Sequence, residues 1–357
     1  MNHICSYKIM KCVNINRIVV LVVAVLLFSC SYHTETANTN KNKPNKTNLT
    51  SCRIAFYNVE NLFDTEDDPH INDNDFLPSG KLSWTAERYQ EKLKHVKEVI
   101  DGLNKEHTLA LFGMAEVENK TVLEDLLKKD STYQIIHYNS SDSRGIDVCL
   151  LYNPGYFTPL TSYVSSFKSD ESSKVSLREV LVVKGILWND TIHVLVNHWP
   201  SRREGQEESE HKRIAAASLT LRLIDSIAAH SSSNIIIMGD FNDQPDDKSV
   251  SMLSTILKLR STKHNDATDI SNPFAAKQND GEGTCKFKHN WFLFDQILIS
   301  NSLMNKKGCQ FVSAEIYDPE WLYYKQDVHS GPYRTYLGNK YYGGYSDHFP
   351  VYIELKK

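Results

Sequence analysis

Four short apolar runs, at residues 135–138, 146–152, 180–187 and 191–197, follow one another without a helical pattern between them. Helical patterns stand on both sides. Before the runs, Tyr89, Leu93, Val96, Ile100 and Leu103 recur at steps of four and three residues, which predicts an amphipathic helix within 85–103. Residues 119–129 predict a short second helix with Asn119 as its cap. After the runs, Ile214, Ala217, Leu221, Ile224 and Ala228 mark another long helix. Further strand-like runs cover 52–59, 109–115, 235–238, 292–299 and 351–355. Simple βαβ repetition would place a helix after every strand, and an all-β chain would place none. This order fits neither, and predicts an α/β chain of two sheets with helices outside them. No repeat at a solenoid period and no second domain boundary interrupts it.

The first 51 residues belong to a different kind of chain. A basic start with Lys8, Lys11 and Arg17 precedes an apolar run from Ile18 to Phe28. That run is too short to span a bilayer comfortably and reads as a signal peptide. It ends in Leu27-Phe28-Ser29-Cys30, which resembles a bacterial lipobox. Residues 1–30 are therefore expected to be a lipoprotein signal, with Cys30 lipidated as the mature N-terminus and anchored in the membrane. An ordinary cleaved signal or a short anchor is the alternative. The leader before Arg17 is long for this class, so a start at Met10 is also expected. Residues 31–51, rich in Thr, Asn and Lys, bury too little to fold and predict a flexible tether. The implied location is the bacterial cell envelope, facing the periplasm or displayed on the surface. The remaining 52–357 are expected to form one large domain.

Charge narrows little. The full chain carries −4, and removal of the leader leaves 37 basic and 44 acidic residues. That balance argues against broad electrostatic capture of nucleic acid. A polyanionic substrate would have to be held by local charge and by metal. Of seven cysteines, Cys52, Cys149, Cys285 and Cys309 fall in the domain without metal-type spacing, and Cys149 reads as a packed strand residue.

The chemistry lies where apolar runs stop. Asn58-Val59-Glu60-Asn61, Ala115-Glu116-Val117-Glu118-Asn119 and Gly239-Asp240-Phe241-Asn242-Asp243 each close a strand-like run, and Ser346-Asp347-His348 precedes the last one. Oxygen ligands such as Asn58, Glu60 and Glu116 suit a hard divalent cation. Glu118 faces the same way as Glu116 if the strand continues, and solvent if a loop begins. Asn197-His198-Trp199-Pro200 ends another strand, with Arg202 and Arg203 close behind as phosphate contacts or solvated loop charges. Arg144, and more weakly Arg178, are placed to offer a planar cation to a phosphate. Asp147 reads as a partner for Arg144, and Asp243 as a turn residue. His348 needs a carboxylate to fix its tautomer. Two stretches look inserted: 64–84, rich in Asp and Pro, and 317–345, rich in Trp and Tyr. The second is expected to wall the site, most of its aromatics packing on one another and some stacking on bases.

In order and spacing these motifs resemble the endonuclease/exonuclease/phosphatase superfamily, which includes DNase I, AP endonucleases, sphingomyelinases and inositol polyphosphate 5-phosphatases. The resemblance covers roughly 52–355 and implies a DNase I-like fold, a four-layer α/β sandwich of two packed mixed sheets with outer helices. By resemblance Glu116, Glu60 and Asp347 bind the metal, expected to be Mg²⁺ with Mn²⁺ or Ca²⁺ as alternatives. Asp240 and Asn242 would orient the attacking water and the phosphate oxygens. His198 would act as an imidazolium on the phosphate, and Asp295 would orient His348 as base. Asn58, Arg144 and Arg178 would hold phosphate. Phe294 and Gln296 replace the residues that flank that aspartate in inositol 5-phosphatases, and AP endonucleases usually carry an arginine before it. The Asn-Val-Glu-Asn-Leu-Phe-Asp start at 58–64 is typical of secreted and surface nucleases. The expected activity is metal-dependent phosphodiester hydrolysis in DNA or RNA, leaving 5′-phosphate ends, with no protein partner implied. Its rivals are a phosphoesterase for lipid head groups or a small phosphorylated metabolite, and a non-catalytic surface binding protein.

Overall fold

Strand β1 (Ser51–Leu62) serves two cores at once. Ile54 and Phe56 join the apolar layer between two sheets, while Ala55, Tyr57 and Val59 join a second layer beneath helices. The two-residue period of a strand forces this division. With both faces covered, the run reads as almost continuously apolar.

In this computed structural model the described residues are 50–128, 130–166, 178–230, 234–260, 269–304, 308–324 and 331–357. The expected lipoprotein signal ending at Cys30, and the expected tether up to residue 49, lie outside them. After β1 come α1 (Ala86–Leu103), β2 (Leu109–Val117), α2 (Lys120–Leu127), β3 (Gln134–His137) and β4 (Asp147–Tyr152). Then follow β5 (Phe157–Ser165), β6 (Val180–Leu187), β7 (Asp190–His198), α3 (Gln206–His230), β8 (Asn234–Asp240) and α4 (Lys248–Arg260). Next are β9 (Ile270–Ser271), α5 (Ala275–Asn279), the hairpin β10 (Cys285–Phe287) and β11 (Asn290–Phe292), and β12 (Asp295–Ser300). The chain ends with β13 (Gln310–Ile316), the hairpin β14 (Tyr336–Leu337) and β15 (Lys340–Tyr341), and β16 (Val351–Lys356).

Two six-stranded sheets result, ordered β13-β16-β1-β2-β4-β3 and β5-β6-β7-β8-β12-β9. Among the described residues, only β1/β2 and β7/β8 pair in parallel. Each parallel pair is joined through a helix, α1 or α3, because a parallel return must cross over the sheet. Helices α1 and α2 bury their apolar stripes on the first sheet, and α3 and α4 theirs on the second. The Asn119 cap holds: its side chain accepts from Val122 N at 3.0 Å. Between the sheets, Gly113 faces Met238 so closely that a Cβ there would lie 2.4 Å from the sulfur. Cys52, Cys149, Cys285 and Cys309 are all free thiols, and Cys149 is buried.

The elements missing from the sequence reading are instructive. Strands β5 and β13 are sheet edges, half covered and irregular in pattern, and Pro159 is tolerated in β5 because an edge strand need not donate everywhere. The single strand expected over 292–299 is two. β11 stops at Phe292, β12 starts at Asp295, and the break at Leu293-Phe294 leaves the hairpin outside the sheet. The expected packing of the 317–345 aromatics is seen. Tyr317 meets Trp321, Trp321 meets Tyr345, and Tyr324 meets both Tyr333 and Tyr342.

Candidate active site

The two parallel pairs end at one rim, and one hydrogen bond ties them together. Asn58 Nδ2, from the first sheet, donates to Asp240 Oδ2, from the second, at 2.9 Å. At this rim Glu60, Asn61, Glu116 and Asn242 all have left-handed backbone, with φ of 50°, 57°, 64° and 50°. Such conformations cost about 1–3 kcal/mol each for non-glycine residues and collect where function fixes them. Three coincide with register shifts, Glu60 and Asn61 between Asn58 and Leu62 on β1 and Glu116 between Ala115 and Val117 on β2. A bulge re-aims its side chain, so Glu116 leaves the strand's alternation and turns to the rim.

His348 Nδ1 lies 2.6 Å from Asp295 Oδ2. The carboxylate can only accept, so Nδ1 carries a hydrogen in either charge state, and Nε2 has its lone pair in the neutral ring. The backbone holds the ring in place. His348 N donates to Ser346 Oγ, Ser346 Oγ donates to Asn58 O, and Cys285 of β10 bridges His348. Burial works against a charged ring, but the Asp295 carboxylate outweighs it and holds the His348 pKa well above the ordinary value. Asp295 is fully buried, and its Oδ1 has no partner among the described residues.

Asp240 pairs with Asp295 across β8 and β12. Burial, with the nearby Asp295 charge, raises its pKa to about 7. Asn58 and the backbone N of Asn242 donate to its two oxygens, and Asn242 Nδ2 donates to Trp199 O. His198 Nε2 stands 3.7 Å from both Glu116 Oε1 and Asp240 Oδ2. The surroundings of His198 disfavour the expected imidazolium. Burial first, then the Arg178 and Arg144 charges, push the His198 pKa well below its ordinary value. With two carboxylate oxygens at 3.7 Å, Nε2 is the favoured place for the hydrogen of the neutral ring.

Glu60, expected to bind metal, has another task. Its Oε2 accepts from Thr335 N at 2.6 Å and its Oε1 from Tyr336 N at 3.2 Å, so it anchors the aromatic segment to the rim. Burial, with the Asp347 charge, raises its pKa to about 7. The buried Lys92 braces the same segment through Thr335 Oγ1 and Tyr345 O. Lys92 carried no motif, since it sits beside Leu93 on the apolar face of α1. Glu60→Gln should therefore cost about 1–2 kcal/mol, because an amide replaces one acceptor and leaves a buried N–H unmatched. Thermal melts, with limited proteolysis read within 331–345, check this. An unchanged melt would remove the anchoring role.

Other expectations are redirected too. Glu118 faces neither Glu116 nor solvent; it is buried and accepts from Asp64 N at 2.7 Å. Asp147 does not hold Arg144 but pairs with His137 Nε2 at 2.8 Å. Asp142, absent from the sequence reading, lies 3.1 Å from Arg178 Nε and 3.6 Å from Arg144 Nε. Arg178 is largely buried and also donates to Trp199 O, so it links that loop to the strand carrying His198. Arg144 keeps about a third of its side chain exposed, facing a cavity of about 310 Å³ lined also by Arg178, Arg203 and Lys212. Asp243 is no mere turn residue: Arg202, Ser249 and the buried Arg213 all reach it. Arg202 is thereby withdrawn from phosphate binding, while Arg203 stays exposed at the cavity.

The donor set fits a hard divalent cation. Asp240, Asp295 and His348 offer ligand atoms within 4.8 Å of one another, and the Glu116 and Asp347 carboxylates stand at the same histidines, His198 and His348. So many carboxyl oxygens gathered at a buried rim, one of them unpartnered, call for a cation.

The sequence model of the Endonuclease/Exonuclease/phosphatase family matches residues 53–357. No curated protein matches the chain in sequence. Among solved structures it is similar to an endonuclease/exonuclease/phosphatase family protein from Bacteroides thetaiotaomicron, at 17% identity and TM-score 0.56, covering 86% of this chain and 98% of that one. It is similar to a mannosyl-6-phosphatase of the same organism, at 15% identity and TM-score 0.55, covering 86% and 100%. The human nocturnin catalytic domain is similar at 13% identity and TM-score 0.55, covering 86% and 94%. At these identities the likeness concerns the fold.

Proposed function

This chain belongs to the endonuclease/exonuclease/phosphatase family, and from that premise we propose that it is a metal-dependent phosphodiesterase acting on nucleic acid. The observation that carries the reading is basic charge on both flanks of the His348–Asp295 pair. On the His198 side stand Arg144, Arg178, Arg203 and Lys212, with Asp142 and Glu204 among them. On the side of β10, which bridges His348, a cavity of about 450 Å³ is lined by Lys286, Lys288 and Arg334 with no acidic residue. A small phosphomonoester needs one such flank, whereas a strand that continues past the scissile phosphate needs two.

In this reading His348 Nε2 takes a proton from the water that attacks phosphorus, and Asp295 stabilises the imidazolium that forms. Asp240 and Asn242, fixed by Asn58 and Trp199, orient the water and the non-bridging oxygens. His198 Nε2–H donates to charge that builds on the phosphoryl group or the leaving oxygen as its bond to phosphorus breaks. Glu116, Asp240 and Asp347 would hold the divalent cation, which supplies Lewis-acid neutralisation of the developing charge when bound. Arg144 holds a flanking phosphate.

The test incubates the protein with circular plasmid DNA, single-stranded RNA and a small phosphodiester, in Mg²⁺ or in EDTA. Metal-dependent cutting of a polymer supports the reading, and turnover of the small ester alone would sink it in favour of head-group or metabolite hydrolysis. Arg144→Ala should weaken binding evenly across nucleic-acid sequences and lower the log-affinity against log-salt slope by about 1. An unchanged slope would remove Arg144 from phosphate binding.

A further inference from the structure

The β10–β11 hairpin presents an aromatic ring to solvent beside the reaction centre. Phe287 is 65% exposed, and Leu337 of the β14–β15 hairpin, 56% exposed, lines the same cavity. The cavity also takes in Tyr324, Tyr342, Lys288 and Arg334. Most aromatics of the 317–345 segment pack on one another, which leaves Phe287 as the large apolar ring that this hairpin exposes.

We propose that this cavity is a nucleobase-stacking subsite, with Phe287 as its platform, that selects an unpaired strand. The proposal deepens the nuclease reading and rests on it. Three features favour a base over other apolar occupants. Cys285 bridges His348, and Phe287 lies two residues further along that strand, roughly 7 Å from Cys285 in backbone terms. A base flanking the scissile phosphate comes within reach at that separation. The lining charges are all basic, which suits the phosphate attached to that base. Lys288 Nζ lies 5.4 Å from the Phe287 ring centroid, leaving a cation at the ring where a phosphate would pass. A base inside a duplex has both faces covered by its neighbours and cannot stack here, whereas an unpaired base can. No apolar period marks Phe287 in the sequence: the strand expected over 292–299 overlaps the hairpin only at Phe292.

The experiment uses the full chain in the His348→Ala background with Mg²⁺, so that the strand is bound without being cut. Affinities are measured for single-stranded oligonucleotides carrying one abasic position, moved along the strand. One position should cost the parent roughly tenfold in affinity. With Phe287→Ala the intact strand should bind roughly tenfold more weakly, that abasic penalty should vanish, and Phe287→Trp should restore it. Melting temperature checks the fold, and so exposed a side chain should leave it unchanged. An abasic penalty of the same size in parent and Phe287→Ala overturns the subsite and leaves the nuclease reading standing. Failure of the protein to bind or cut any nucleic acid overturns both.

Discussion

His348→Ala is expected to lower kcat/KM by roughly 10²–10⁴-fold, or about 3–5 kcal/mol of barrier. The 2.6 Å contact with Asp295 fixes the tautomer, and no second described imidazole is placed to take over. His198 stands nearby, but its pKa is pushed well below the ordinary value and its Nε2 faces Glu116 and Asp240 at 3.7 Å, so it is poorly suited to take a proton from water. The loss should be shared by Asp295→Asn, whose amide can turn toward Nδ1 and favour the wrong tautomer. Acting as one unit, the two should not add: the double variant should be no slower than His348→Ala alone. Stability gives an independent readout. Removing His348 leaves Asp295 buried and unpaired, so the single variant should also melt earlier, while His348→Ala with Asp295→Ala should recover part of that loss. Additive losses in activity would show that the pair does not work as a base and its orienting group.

Chelation with EDTA is expected to take activity to background, and restored Mg²⁺, Mn²⁺ or Ca²⁺ should raise the melting temperature as well as the rate. Cation binding to the folded chain alone stabilises it by about 2.7 kcal/mol at a hundredfold excess over Kd. The physical reason is the rim itself, where burial and Asp295 already hold Asp240 near neutral pH values. Glu116 is the discriminating position, since its left-handed backbone exists to aim one carboxylate at this rim. Glu116→Gln keeps the shape and removes the charge, so it should shift both metal titrations, rate and melting, to higher concentration. Activity that persists in EDTA, with a melt indifferent to all three ions, would overturn the metal-dependent reading.

Much of the fold was legible because burial writes itself into the spacing of apolar residues. Residues 180–187 were bounded as they stand in β6, and α1 within two residues at its start. What failed was structure whose burial is partial: the edge strands β5 and β13, and the β10–β11 hairpin. At the site, motif order named Asn58, Glu116, His198, Asp240, Asn242, Asp295 and His348, and the structure places all of them at one rim. Residue type and order tell which groups are offered. They do not tell which way a carboxylate is spent.

Local periodicity, and the points where it stops, already specify the two-sheet α/β architecture and the set of polar residues at the strand ends. Their partners come from the packing of the two sheets. Glu60 goes to Thr335 and Tyr336, Asp147 to His137, and Asp243 to Arg202 and Arg213. That packing also decided that the His198 pKa is lowered, through burial beside arginines distant in the chain. Charge state and hydrogen-bond choice depend on distances between residues brought together across two sheets, and no spacing along one strand contains them.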